Sequence, residues 1–434
     1  MSDIEDKLPE DWKLKTIDDL SVRVGSGVTP RGGSEVYTHE GVLFVRSQNV
    51  HFNGLDLSDV AYIDQKTHDS MQASEIFPQD VLFNITGASI GRCCTVPDGI
   101  GLANVNQHVC SIRLSKPCAH DAMFLSTVLS SFIGQNQVLR FNAGGNREGL
   151  NYQQLRSFQI PWPPGAQRKV IAEILSTVDR AIEQTEAAIA KQQRIKTGLM
   201  QDLLTRGIDE HGNLRSAQTH QFKDSPLGRI PVEWEVKTLN SCVKDNAPIC
   251  YGILMPGTGY DNGIPVIKVK DIIGGRIIQK SLLLTDPRID REYKRSKLKQ
   301  GDLLITIRGT TGRIALVPLE LNGANITQDT ARVRLKNEHS NSFFYFLMQS
   351  KGVQDQVLLH TLGQAVKGIN IAEVKKIAFG LPGKDEQIEV ADRLNELEGS
   401  LSNTERRLQK LCSLKAALMQ DLLRGKKRVT SLLE

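Results

Sequence analysis

Apolar and polar residues alternate along this chain in two rhythms, and each rhythm occurs twice. The first is a set of short apolar runs bounded by Gly, Pro and polar residues, which predict strands. They fall at Val42–Val45, Asp80–Ile85 and Val109–Leu114, then again at Pro265–Val269, Asp302–Ile307 and Ala331–Leu335. Helical stretches follow near Ala122–Ser131 and Ser342–Ser350. The second rhythm begins after Pro161-Trp162-Pro163-Pro164-Gly165 and after Leu381-Pro382-Gly383. Proline cannot continue a strand or sit inside a helix, so these are boundaries. Beyond the first lie Ile171, Leu175, Val178, Ile182, Thr185, Ile189, Gln192, Lys196, Leu199 and Leu203, spaced alternately four and three. Beyond the second lie Val390, Leu394, Leu397, Leu401, Thr404, Leu408, Leu411, Lys415, Leu418 and Leu422, with the same spacing. That is a heptad a/d stripe. A helix of about 40 residues is roughly 60 Å long, too long to cap one domain, and so narrow a stripe needs a partner. The two helices are therefore expected to pair with each other. Thr185 and Thr404, and Lys196 and Lys415, take the same steps of the two stripes, where a polar residue can fix register.

The chain is in fact written twice throughout. Pro9-Glu10-Asp11-Trp12 returns as Pro231-Val232-Glu233-Trp234, an offset of 222 (231 − 9). Ala103-Asn104-Val105-Asn106-Gln107 returns as Ala324-Asn325-Ile326-Thr327-Gln328, and Leu199-Met200-Gln201-Asp202-Leu203-Leu204 returns unchanged at Leu418–Leu423. A period this long is a duplicated module, not a solenoid, whose repeats run ~20–50 residues. The expected fold is α+β: two similar globular heads joined by two long helices in an antiparallel intramolecular coiled coil, with pseudo-two-fold symmetry. The first head is placed at 1–164, the first long helix at 165–207, a polar linker and the second head at 208–383, the second helix at 384–425 and a basic tail at 426–434. Trp12 and Trp234 read as core packing, and Lys426-Lys427-Arg428 as a solvated end.

Composition narrows the chemistry. Hydrophobic residues make up 40%, charged residues 24%, and the net charge is +5. This suits a globular protein with room for an anionic partner. No run approaches the ~20 apolar residues of a membrane span, and the acidic Met1–Asp6 start is no signal peptide, so a cytoplasmic protein is expected. Of the seven cysteines only Cys242 and Cys250 approach a pair, and no Cys-x-x-Cys occurs. Reduced thiols are expected and a zinc site is not. The chain holds no phosphate loop, His-Glu-x-x-His or Gly-x-Ser-x-Gly, and no Asn-Pro-Pro-aromatic motif. No catalytic or metal-binding residue is assigned.

Candidate binding residues recur in both copies. Thr86-Gly87-Ala88-Ser89-Ile90-Gly91-Arg92 follows the Asp80 strand, and Arg308-Gly309-Thr310-Thr311-Gly312-Arg313 follows the Asp302 strand. Glycines and hydroxyls closed by arginine let a backbone approach phosphate. Asn106, Gln107 and His108, and Gln328 in the second copy, precede strands; such amides can pair with the major-groove edge of adenine. Arg46, Gln48 and Asn49, and Lys268 and Lys270, follow the first matched strands, and two glycine-bearing loops end in Arg147 and Lys367. Each cluster alone reads as solvated surface or as a plain turn. Four clusters recurring in both copies are harder to dismiss as surface.

Two heads that each open Pro-x-x-Trp, hold an Asp-apolar strand and a Gly-x-x-Gly-Arg loop, and run into a long helix ending Leu-Met-Gln-Asp-Leu-Leu resemble the specificity subunit of a Type I restriction–modification system. The resemblance covers essentially the whole chain. It implies that each head is a target recognition domain reading one half of a bipartite site on double-stranded DNA. It implies that the helices set the spacer and, with the heads, dock two methyltransferase subunits, and that motor-nuclease subunits join for cleavage. No cofactor is then expected in this chain; S-adenosylmethionine, ATP and Mg belong to the partners, and this chain is the non-catalytic one. Thr86 faces Arg308 and His108 faces Asp329 across the repeat, which implies two different half-sites. Two competing readings are a two-headed coiled-coil scaffold for proteins and the recognition module of a fused DNA-modifying enzyme. The missing methyltransferase motif counts against the second.

Overall fold

The computed structural model describes residues 8–30, 32–142, 149–361 and 368–433. The chain divides into two compact units, Met1–Ala187 with Glu405–Glu434, and Ala188–Thr404. Each unit therefore takes one head, the start of one long helix and the end of the other.

The two heads share one topology. In the first, a four-stranded antiparallel sheet runs Ser21–Ser26, Val109–Leu114, Val81–Asn84, Cys93–Thr95. A three-stranded sheet runs Ala61–Ile63, Val42–Val45, Ala103–Val105, with its last pair parallel. The second head repeats both: Cys250–Tyr251, Thr330–Val333, Leu303–Thr306, Ile314–Leu316, and Leu283–Thr285, Ile264–Ile267, Asn325–Ile326. The helices Ala119–Ser130 and Asn341–Gln349 pack Phe124 and Leu125, and Phe343, Phe344 and Phe346, into the respective cores. The strand expected to reach Val269 stops at Ile267, because Val269–Asp271 coils into a short 3-10 turn.

A two-stranded ribbon closes each head, Lys13–Thr16 on Gln159–Trp162 and Glu235–Thr238 on Ala378–Leu381. It delivers the chain directly into the long helices, Gly165–Thr205 and Lys384–Leu422. The Pro-x-x-Trp residues lock this junction. Trp12 is buried and its indole donates to Gln167 Oε1 at 3.0 Å. Trp234 is buried and donates to Glu386 at 3.2 Å. A buried indole N–H needs such a partner, and each finds it in the first turn of the helix that follows its own head.

The heptad stripe faces inward. In the first unit Ile171 and Leu175 share a core with Leu418 and Leu422, and Lys415 pairs with Asp179 at 2.6 Å. In the second, Leu199 and Leu203 share a core with Val390 and Leu394, and Lys196 pairs with Glu398 at 3.5 Å. Within each unit the start of one helix thus packs on the end of the other, so the pairing is antiparallel. One register serves both ion pairs: 17 residues forward on the first helix (179 to 196) match 17 backward on the second (415 to 398). The seam lysines are held by carboxylates from the opposite helix rather than left in an apolar groove.

The tail, expected to be a solvated end, and the polar linker are both built into the fold. In the tail, Arg428 pairs with Asp11 at 2.7 Å and Val429 is buried, while Lys426 and Lys427 are exposed. In the linker, Ile208 and Arg215 are buried, Arg215 pairs with Glu386, and Phe222–Ser225 forms a hairpin with Gly228–Pro231. Among the described residues no helix is long and apolar enough to cross a membrane.

Candidate nucleic-acid interface

An ion pair with a buried carboxylate anchors the strand that carries each Gly-rich loop. Asp80 accepts two bonds from Arg113, at 2.8 and 2.7 Å, and one each from Ser111 Oγ and Phe77 N at 3.0 Å. Hydrogen bonding to Asp80 holds the Arg113 guanidinium above its usual pKa. Asp302 repeats the arrangement with Arg334 at 2.7 and 2.6 Å and Lys299 N at 2.8 Å. The Asp that opens each apolar strand is therefore structural. Its carboxylate fixes the strand's start, and the loop leaves from the other end.

In the first head that loop meets its predicted neighbours. The buried amide of Asn84 donates to Ser47 O at 2.8 Å and to Ser89 Oγ at 3.0 Å, tying the 46–49 turn to the 86–92 loop. Thr86 Oγ1 lies 2.6 Å from His108 Nδ1, and His108 Nε2 lies 2.9 Å from the Gln107 amide nitrogen. The amide is the donor there, which leaves the ring proton on Nδ1 to be given to Thr86. The Thr29 hydroxyl donates to Gln107 Oε1, closing the chain. Gly91 has a positive φ, and a Cβ there would meet Gln135 Oε1 at 2.7 Å, so the loop needs glycine at this point.

The second head reaches the same juxtaposition with different atoms. The Arg313 guanidinium donates to Ile272 O at 2.8 Å and Val269 O at 3.3 Å, tying the 268–272 turn to the 308–313 loop. Arg308 is exposed and donates to Gln328 Oε1 at 3.1 Å. It stands where Thr86 meets His108 in the first head. Thr86 and Arg308 also form β-bridges to Gly149 and Gly368, so the segments after both glycine-bearing loops join the same surface.

Several predicted contact residues serve the scaffold instead. Asn49 is only 2% exposed; its amide donates to Asp56 O and Asp59 O, and its oxygen accepts Arg46 N. Asn106 is buried and its side chain accepts His108 N at 3.1 Å. Arg313 spends its guanidinium on the backbone carbonyls just described. The side chains of these three shape the loops. Arg46 is half-buried and Gln48 exposed, and both lean on Asp59, at 3.8 and 3.0 Å. Ser89 faces Asn84, whereas Thr310 and Thr311 lie at the loop tip, Thr310 exposed and Thr311 half-buried. The side chains of Arg92, Lys268 and Lys270 make no hydrogen bond or ion pair among the described residues. Arg147 and Lys367 lie outside them. Thr29, bonded to Gln107, and Tyr152, whose hydroxyl meets Ser26, are further polar groups that no sequence motif marks. The matched Gly27 and Gly252 are the nearest signal, since both bring a turn against this surface.

The model for the Type I restriction modification DNA specificity domain matches residues 9–192 and 260–412. The chain belongs to the Type I restriction–modification specificity subunits. Members similar to it include the EcoBI specificity subunit of Escherichia coli, 26% identical over 384 residues that span 85% of this chain and 77% of the relative. The putative MjaX specificity subunit of Methanocaldococcus jannaschii is 24% identical over 432 residues, covering 98% and 95%. Among solved structures, the S subunit from M. genitalium shares the fold with a TM-score of 0.59 at 16% identity, over 95% of this chain and 96% of that one. As in a specificity subunit, the domain occurs twice and a long helix lies between its copies.

Proposed function

We propose that each head of this specificity subunit reads one half of a bipartite site on double-stranded DNA, through the face built from the 86–92, 107–108 and 46–48 segments in the first head and the 308–311, 328 and 268–270 segments in the second. The observation that supports this best is the matched pair Thr86–His108 and Arg308–Gln328. One scaffold presents two different hydrogen-bonding groups at one position, as two different half-sites require. Arg308 suits guanine O6 and N7 or a phosphate, and Gln328 suits adenine. Gly87 and Gly309, and the unpaired Lys268, Lys270 and Arg92, are placed for phosphate contacts, which position without specifying. The long helices act as the spacer.

The partners in this reading are two methyltransferase subunits, one docking on each of two similarly built units, and motor-nuclease subunits in the full complex. S-adenosylmethionine, ATP and Mg are held by those partners; this chain contributes recognition and no catalytic group, and works in the cytoplasm. The test is binding of the chain, co-purified with its methyltransferase subunits, to a labelled duplex bearing its site across a salt series. Affinity falling log-linearly with salt, together with loss on scrambling either half-site, supports DNA reading. Salt-independent binding, or equal affinity for scrambled DNA, favours the protein scaffold instead.

A further inference from the structure

We propose that Leu254 and Met255 form an apolar finger of the second head that reads thymine through its 5-methyl group, a contact the first head does not make. The inference rests on the DNA-reading function above and adds a chemical rule to one half-site.

Met255 is 78% exposed, the highest value among the large hydrophobic side chains of the described residues, and Leu254 beside it is 52% exposed. Tyr260 is exposed on the same loop, and Tyr251 on the strand before it. A single exposed apolar residue needs no explanation, but a cluster marks a contact surface. This loop is braced on both sides of the pair. Before it, Ile253 N donates to Ile326 O at 2.7 Å and Ile253 O accepts from Gln328 N at 2.9 Å. A Cβ on Gly252 would fall 1.9 Å from Ile326 O, so the backbone is pressed against the neighbouring strand. After it, the buried Thr285 hydroxyl donates to Pro256 O at 2.8 Å. The two side chains are therefore held out into solvent by a fixed backbone.

What they stand beside indicates their occupant. Ile253 O accepts from the backbone N–H of Gln328, the residue whose side-chain oxygen accepts from Arg308. Tyr260 shares a cavity of about 360 Å3 with Lys268 and Lys270. An exposed apolar pair on a loop bonded to the Gln328 backbone, whose Tyr260 stands beside two free lysines, fits a groove with phosphates at its rim. In the major groove thymine presents a methyl group, and apolar side chains are its natural readers. The first head differs at this step. Gly27 makes the same close approach, its N–H donating to Asn106 O at 3.1 Å. Two residues on, however, stands Thr29, whose hydroxyl is spent on Gln107, where the second head has Leu254.

The experiment uses the full chain with its methyltransferase subunits, and a duplex whose half-sites have been assigned by methylation mapping and exchange of one head. Each thymine is replaced singly by deoxyuridine, which lacks only the methyl group, and affinity is read by fluorescence anisotropy. For the native chain, one such replacement in the half-site of the second head should weaken binding about four-fold, the equivalent of ~0.8 kcal/mol for one buried CH2 group. The Leu254→Ala/Met255→Ala chain should bind less tightly and lose that sensitivity, while keeping the native response in the other half-site, which shows that it is folded. A second half-site without a sensitive thymine overturns the proposal, and so does a double variant that keeps the sensitivity. A native chain with no preference for its split site would overturn the DNA-reading function itself.

Discussion

Asp80 and Asp302 are the residues on which each candidate loop depends, since each starts the strand that ends in the loop and each is buried against an arginine. Removing the Asp302 carboxylate leaves Lys299 N without its acceptor and the part-exposed Arg334 without its partner, a smaller loss than the ~3–5 kcal/mol of a fully buried pair. Asp302→Ala is therefore expected to lower the urea midpoint of the second head, followed by Trp234 fluorescence in a Trp12→Phe/Trp162→Phe chain. An unchanged midpoint would show that the pair is not the anchor. Arg308→Ala should cost about 1–3 kcal/mol of discrimination at one base of the second half-site and leave the first half-site unaffected, as measured by binding to single-base variants. Thiol labelling supplies an independent check on burial. Burial pushes the Cys94 and Cys110 thiols up to about 12 and raises Cys93 further, so these three should resist a thiol reagent in native protein, while exposed Cys118 and Cys412 react quickly. At this scale the sequence was only partly legible. Asn49 and Gln48 look alike in a string of letters, yet the amide of Asn49 turns inward to cap its own loop. Nothing in local composition separates a capping amide from one aimed at a base.

The helices were the most legible elements, because a heptad stripe is a statement about geometry that survives without tertiary information. Every predicted seam residue from Ile171 to Leu203 and from Val390 to Leu422 is buried or half-buried. The seam lysines needed the structure: their pairing with Asp179 and Glu398 follows from the antiparallel register. The linker and tail were less legible, since Arg215 and Arg428 look solvated until the Glu386 and Asp11 carboxylates are placed beside them. The register makes a length prediction. Deleting Glu186 to Gln192 together with Glu405 to Leu411 removes one heptad from each helix between the two ion pairs and leaves both pairs in phase. Each helix shortens by ~10 Å at ~1.5 Å per residue, roughly 3 bp of DNA. The double deletion should fold and prefer a target with a correspondingly shorter spacer, tested on duplexes differing only in that gap. An unchanged optimum in a folded protein would mean that the helices do not set the spacing. Either deletion alone should lower the thermal midpoint, because it puts one ion pair out of register.

At the scale of the whole molecule, duplication is the controlling fact. The same strand order, the same Trp-to-helix lock and the same helix-end packing occur in both units. Two similarly built units should bind two copies of one partner, so co-expression with a methyltransferase subunit is expected to give two of them per chain by native mass spectrometry. The duplication was plain in the sequence because its offset barely drifts; the difference between the heads was not, because it lies in which side chains meet across loops. The most direct measurement is methylation sequencing of DNA from cells expressing this chain with its methyltransferase, before and after residues 1–164 are exchanged for those of a relative. A split motif with a fixed gap, of which only one half changes on exchange, is the predicted result. A contiguous motif, or a change in both halves, would contradict the reading of one half-site by each head.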